Sequence, residues 1–243
     1  MKLVSETHQL HAIVVGSSGG IGRGLCEDLL KRSNVVKVTG LSRSPTEINH
    51  ENFTAHQIDI IDEASIIEAV SSIEEAQLII IATGILHDED MMPEKSLSNI
   101  SMKNLQRAFD INTIGPALLI KHLSKKMATH QPSFLVALSA KVGSISDNLL
   151  GGWYGYRASK AALNMIIKTA SIEVQRFHPN HVVMALHPGT VTTDLSNPFT
   201  TNYPKEKLID PAGAAERLLN TLDTLGPANN GHLINWDGTR ITF

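Results

Sequence analysis

The chain has 243 residues, 42% hydrophobic and 19% charged, with a formal net charge of -3. That balance suits a globular protein with a core large enough to need no staples, and it offers no basic surface to nucleic acid or an anionic membrane. A single cysteine, Cys26, excludes an intrachain disulfide and fits a reducing cytoplasm.

Met1 to His11 shows no charged segment followed by an apolar run, so no signal peptide is expected. Short, nearly all-apolar runs then alternate with longer helical patterns. Strands are predicted at Leu10–Gly16, Val35–Leu41, Leu78–Ala82, Phe134–Leu138, His181–Leu186 and His232–Asn235, with one more at Ala55–Ile58. Such runs suit strands buried on both faces of a parallel sheet and are too short to span a bilayer. Helices are predicted at Ile21–Ser33, Asp62–Ile73, Leu97–Met127, Tyr156–Phe177 and Pro211–Leu225. Leu163, Ile166, Ile167 and Ala170 share one buried stripe by their spacing. The alternation predicts a single-domain, Rossmann-type α/β fold: a doubly wound parallel sheet with helices on both faces and right-handed crossovers. Its cofactor half would end at about residue 140, with a catalytic and substrate half following. The segment Asn197–Lys207, with Pro198 and Pro204, is the expected mobile loop. The eleven histidines are scattered without ligand spacing, so no metal site is expected.

After the first strand comes Gly16-Ser-Ser18-Gly-Gly20-Ile21-Gly22. Gly16 suits a tight turn, Gly20 lets backbone approach a pyrophosphate, and Gly22 permits close helix–sheet packing. The following helix N-terminus supplies free N–H groups to phosphates. Glycines alone would also fit a structural turn; the strand–turn–helix context favours a dinucleotide. The second strand ends Leu41-Ser42-Arg43-Ser44 without a carboxylate. A carboxylate there would hold a free ribose hydroxyl, whereas the Arg43 fork suits a 2′-phosphate, with Ser42 and Ser44 as added donors. NADP(H) is therefore expected over NAD(H), although an ordinary exposed arginine reads the same way. Asp62 is the better cap for the second helix than Asp59.

Tyr156-Arg-Ala-Ser-Lys160 places the lysine one helical turn from the tyrosine. An adjacent ammonium would favour phenolate and lower the tyrosine pKa, equipping Tyr156 to exchange a proton with a carbonyl oxygen. Tyr154 is the nearby rival, but six residues before Lys160 it faces elsewhere. A solvated helix face is the alternative for such a pair standing alone.

With the glycine spacing, these residues resemble the short-chain dehydrogenase/reductase family across the whole chain. Asp147-Asn-Leu-Leu-Gly-Gly-Trp153-Tyr-Gly-Tyr156 and Pro93-Glu-Lys-Ser-Leu look like its C-factor and sniffer-like carbonyl reductase branch. The resemblance implies that Lys160 bonds the nicotinamide ribose, and that Asp59 and Ile60 meet the adenine. It implies that Asn112 in Phe109-Asp-Ile-Asn112 kinks the long helix and carries a proton relay through its backbone, and it implies backbone contacts to ribose at Thr83 and Gly84, where the family's asparagines are missing. The Pro188-Gly-Thr-Val191-Thr-Thr193 segment would orient the carboxamide through Val191 and Thr193. The family's catalytic serine aligns with Ala140. Ser139 after a local turn, Ser144 from the loop, or Tyr156 alone then remains to hold the carbonyl oxygen, with Ser139 favoured. Trp153, His87 and Phe199 are candidate pocket walls; a structural anchor is the alternative for Trp153. The expected partner is a small carbonyl or alcohol substrate, and the expected assembly is a homodimer through the family's fourth and fifth helices or a homotetramer. A cofactor-binding sensor without catalysis stays open because of Ala140. An epimerase or dehydratase is disfavoured, because only Asp237–Phe243 follow the last predicted strand.

Overall fold

The structure, a computed structural model, describes residues 9–44, 46–201, 204 and 208–243. Eight strands form one sheet in the order β3-β2-β1-β4-β5-β6-β7-β8. They are β1 (Leu10–Val15), β2 (Val35–Ser42), β3 (Phe53–Gln57), β4 (Leu78–Ile81), β5 (Phe134–Leu138), β6 (Val182–His187), β7 (Leu233–Asn235) and β8 (Arg240–Ile241). The first seven pair in parallel and β8 runs antiparallel to β7. The last strand was not foreseen. At two residues it carries no apolar run to announce it, and pairing with β7 creates it.

Alternation along the strands sorts the core into two layers. Leu10, Ala12, Val14, Leu78, Ile80, Phe134, Val136 and Leu138 face α1 (Gly20–Leu29) and α6 (Pro211–Leu222). Ile13, Val15, Ile79, Ile81, Leu135 and Ala137 face α2 (Glu63–Ser71), α4 (Gly115–Leu123) and α5 (Tyr154–Phe177). Both faces of the central strands are therefore dry, which is why they read as unbroken apolar runs. The crevice opens where the order reverses between β1 and β4, at their carboxyl ends, the usual ligand position in such sheets.

Helix ends follow their caps. Asp62 accepts from the Ala64 N–H, as the sequence suggested, and Asp210 accepts from the Gly213 N–H ahead of Pro211. The long predicted helix Leu97–Met127 is a correction. Ile100 is extended, so helix begins only at α3 (Met102–Phe109), capped by Ser101. Asp110–Ile114 then widen into a π turn before α4. Apolar periodicity does not report a single-residue insertion in a helix, but the π turn falls at Asn112, where the family resemblance placed a kink. Helix α5 starts two residues before the predicted Tyr156. Of the expected mobile segment, Asn197–Phe199 form a 3-10 turn; Asn202, Tyr203 and 205–207 lie outside the described residues, as do residues 1–8 of the N-terminal segment. Among the described residues no helix is long and apolar enough to cross a membrane.

Ile79 is fully buried at the centre of the sheet. Ile79→Ala is expected to cost about 2–5 kcal/mol of unfolding free energy, measured by urea denaturation; a loss well under 1 kcal/mol would contradict this packing.

Candidate active site

Gly16 has φ +89°, and a Cβ there would lie 3.0 Å from the backbone of Ala82 just past β4. Gly22 is tighter still: its Cβ would stand 2.0 Å from the Gly16 carbonyl oxygen. The turn is held by Gly16 N–H donating to Leu41 O at 2.7 Å and Gly19 N–H donating to Gly16 O at 3.1 Å. Gly19 caps α1 without a side-chain bond, which leaves the first helical N–H groups available to an anion. The Thr83 hydroxyl is buried beside this turn without a partner among the described residues.

Two cavities meet over it. The first, about 430 Å³, is lined by Gly16, Ser18, Arg43, Asp59, Ile60, Thr83 and Gly84, among others. The second, about 230 Å³, is lined by Gly20, Ile21, Gly22, Ser139, Tyr156, Lys160, Pro188 and Thr193, and shares Gly19, Thr83 and Gly84 with the first. Residues from six strand ends are thus gathered into one groove whose length, glycine floor and unpartnered Thr83 hydroxyl fit an extended dinucleotide. Arg43 is exposed at one end, and the Asp59 carboxylate accepts from the Ile61 N–H at 3.1 Å. Ser42 does not serve as a free donor. It is buried, and its hydroxyl donates to the Ser44 carbonyl at 2.6 Å, next to Ser17 and Thr46. The lining residues Ile111, Asp88, Arg107, Asp194 and Leu195 were missed. They come from loops and a helix face whose sequence carries no motif, although the ionic Asp88–Arg107 contact at 2.8 Å joins two of them.

Tyr156 and Lys160 open onto the second cavity from successive turns of α5, with the Lys160 Nζ 6.0 Å from the tyrosine ring centre. The Lys160 ammonium donates to the Leu138 carbonyl at 3.0 Å. The expected lowering of the tyrosine pKa is corrected. Burial pushes the Tyr156 hydroxyl up to about 12, and burial pulls Lys160 down to about 8. At this distance desolvation outweighs the attraction between the two groups. Asn112 sits in the π turn behind the cavity. Its amide donates to Ile85 O at 2.9 Å and to the Ser159 hydroxyl at 3.1 Å, and its oxygen accepts from the Ile85 N–H at 2.8 Å. A Cβ on Gly84 would lie 3.3 Å from Asn112 Oδ1 and 3.4 Å from Lys160 Nζ, so these three residues meet.

The alternation of β5 sends odd-numbered residues to the α5 face. Ser139 continues it: its N–H still bonds Leu186 O, and its hydroxyl donates to Asn164 Oδ1 on α5 at 2.7 Å. Ala140 is extended and belongs to the opposite face, without the local turn the sequence reading allowed. Ser144 is engaged elsewhere, donating to the Thr242 carbonyl just after β8, and does not line the cavity. Val191 bridges to Ile209 through the backbone of its neighbours Thr190 and Thr192, and its carbonyl accepts the Ser196 hydroxyl. The three predicted wall residues do gather. Trp153 stands edge-on to Tyr156 at 6.2 Å and to Phe199 at 5.2 Å, and Phe199 stands edge-on to His87 at 5.5 Å. The His87 ring nitrogen also bonds the Asp194 carbonyl at 2.9 Å, joining two loops across the opening.

A doubly wound sheet with a glycine-floored groove at its switch point defines an oxidoreductase that uses a nicotinamide dinucleotide. The profile of the short chain dehydrogenase family matches residues 10–204. The chain belongs to that family, as its motifs suggested. It is 26% identical over 232 residues to the 1-hydroxy-2-glutathionyl-2-methyl-3-butene dehydrogenase of Rhodococcus sp. (strain AD45), covering 95% of this chain and 98% of that protein. It is 27% identical over 148 residues to the C-signal protein of Myxococcus xanthus, covering 61% of this chain and 84% of that protein. The NADPH-bound carbonyl reductase from chicken fatty liver superposes with a TM-score of 0.84 at 25% identity, covering 97% of this chain and 95% of that one.

A buried lysine that titrates near 8, against its ordinary 10.5, is charged at a cost in the folded state at pH 7 and neutral there at pH 10. Between these values the unfolded chain holds more protons, so this group's contribution to stability rises with pH. Lys160→Met is expected to stabilise the ligand-free protein more at pH 7 than at pH 10, read by urea denaturation of both proteins at each pH. An equal effect at the two values would mean that Lys160 is not desolvated.

Proposed function

We propose that this protein interconverts a carbonyl and an alcohol using NADP(H), with Tyr156 as the proton donor and acceptor. The carrying observation is that Tyr156 and Lys160, one helical turn apart, face the cavity that shares Gly19, Thr83 and Gly84 with the dinucleotide groove. The cofactor, when bound, supplies or accepts the hydride at the carbonyl carbon. In reduction, the Tyr156 hydroxyl donates its proton to the oxygen as that carbon gains the hydride, and the product is the alcohol; oxidation reverses each transfer. The raised pKa of Tyr156 suits the protonated, donating form. Lys160 is a buried cation held on a carbonyl, placed to exchange Leu138 O for a ribose hydroxyl and to stabilise the phenolate left behind. Thr83 and Gly84 take the ribose side, Pro188 and Thr193 the carboxamide side, and Asp59 and Ile60 the adenine side. Arg43 provides the guanidinium for a 2′-phosphate. Asn112 aligns the loop after β4 at Ile85 and the helix at Ser159, the two walls of a proton path to Lys160. Ser139 shares the cavity with Tyr156, and Asn164 orients its hydroxyl. The substrate is a small carbonyl or alcohol lying against Trp153, Phe199 and His87.

Tyr156→Phe is expected to remove turnover by about a hundredfold or more while NADPH binding, followed by fluorescence titration, stays within about twofold of the parent. Retained turnover would refute the assignment. NADPH binding by the parent protein without oxidation across a broad carbonyl panel would instead favour the sensor reading, which the absence of a hydroxyl at Ala140 keeps alive. Arg43→Ala is expected to weaken NADPH binding by about tenfold, as losing a charged hydrogen bond does, and to leave NADH binding nearly unchanged. Equal weakening of both would show that Arg43 does not read the phosphate.

A further inference from the structure

Helix α5 carries the catalytic pair, yet its own start lacks the usual support. Its N-cap is Trp153, a bulky residue at φ 53° and ψ 44°, with no side-chain cap and no acid in the first turn. Among the described residues Trp153 is the sole non-glycine residue with positive φ. A left-handed conformation at an aromatic residue persists only where the surroundings hold it.

The support comes from a distant residue. Glu94, in the loop before α3, is 4% exposed. Its carbonyl accepts the Trp153 N–H at 2.6 Å, and its carboxylate accepts the Gly155 N–H at 3.0 Å. One side chain and its own backbone thus bracket the left-handed residue on both sides. Among the described residues no cation pairs with this buried carboxylate. A buried charge needs compensation, and here the partial positive end of a 24-residue helix supplies it. The neighbouring glycine is shaped to this contact: a Cβ on Gly155 would lie 3.0 Å from Glu94 Oε1. Tyr156 follows Gly155 directly, and the Trp153 ring stands edge-on to it.

We propose that Glu94 is a positioning residue for the reaction, acting as a remote N-cap that sets the first turn of α5 and through it the placement of Tyr156 and Trp153. This rests on the assignment of Tyr156 as the proton donor. Loss of the cap would let Trp153 leave its left-handed conformation and the tyrosine drift, which lowers turnover without touching the dinucleotide groove.

The test uses the full chain in a Trp236→Phe background, which leaves Trp153 as the single tryptophan, with menadione as the carbonyl probe and NADPH as reductant. In Glu94→Ala the Trp153 emission should shift to the red. Its kcat should fall by about tenfold to a hundredfold, the scale of a small misplacement, with the NADPH dissociation constant within about twofold. Glu94→Gln keeps an acceptor for Gly155 and should retain most of the parent's emission and kcat. Gly155→Ala improves helix propensity yet crowds the carboxylate, so it should reproduce the losses of Glu94→Ala. A role confined to stability would instead leave Gly155→Ala as active as the parent. Parent-like emission and kcat in Glu94→Ala would overturn the proposal; should that variant not fold, the same result in Gly155→Ala would do so. Tyr156→Phe in the same background separates the two ideas. If it keeps its turnover, the proton-donor assignment fails, whereas the Trp153 emission of Glu94→Ala still judges the cap.

Discussion

The structure turns on a contact with no room in it. Gly22 packs against the Gly16 carbonyl so closely that one added carbon would overlap it. That approach brings α1 down onto the ends of β1 and β4, with its N-terminus pointing into the crevice between them. The anion-binding end of the helix, the floor of the groove and the unpartnered hydroxyl of Thr83 all follow from it. A neighbouring constraint extends the effect: Gly24 lets α1 approach the Pro211 carbonyl at the start of α6, and α6 closes the same side of the sheet.

On the opposite face the deciding quantity is water. Tyr156 and Lys160 are close enough to be read as a charge pair, yet each is desolvated, and each moves toward its neutral form. In the ligand-free chain Lys160 therefore rests on the Leu138 carbonyl instead of activating the tyrosine. A bound ribose would offer it hydroxyls in place of that carbonyl. Burial holds Tyr156 as a neutral phenol, with Lys160 one helical turn away.

The aromatic cluster beside Tyr156 is built differently, from loops. Trp153, Phe199 and His87 belong to three segments far apart in sequence and touch edge to edge above Tyr156. His87 is bonded to the Asp194 carbonyl, and Trp153 is held by Glu94. The aromatic cluster is thus fastened to the same helix start that carries Tyr156.

Much of this was legible in the sequence. Strands buried on both faces announce themselves as apolar runs, and the glycine turn, Arg43, Asp59 and the Tyr156–Lys160 spacing are local patterns that survive into the fold. These features depend on neighbours in the chain, so the chain alone determines them. The tertiary structure decided what depends on distant contacts. It set the side of the sheet on which Ser139 lies, because its partner Asn164 is on another element. It withdrew Ser144 to Thr242 just after β8 and Ser42 to its own loop, since hydroxyls go to whatever acceptor folding brings near. It inserted the π turn at Asn112, gave α5 its cap from Glu94, and set the protonation preference of the tyrosine–lysine pair. Each of these is fixed by burial and by partners far away in sequence, and neither quantity is written in the local order of residues.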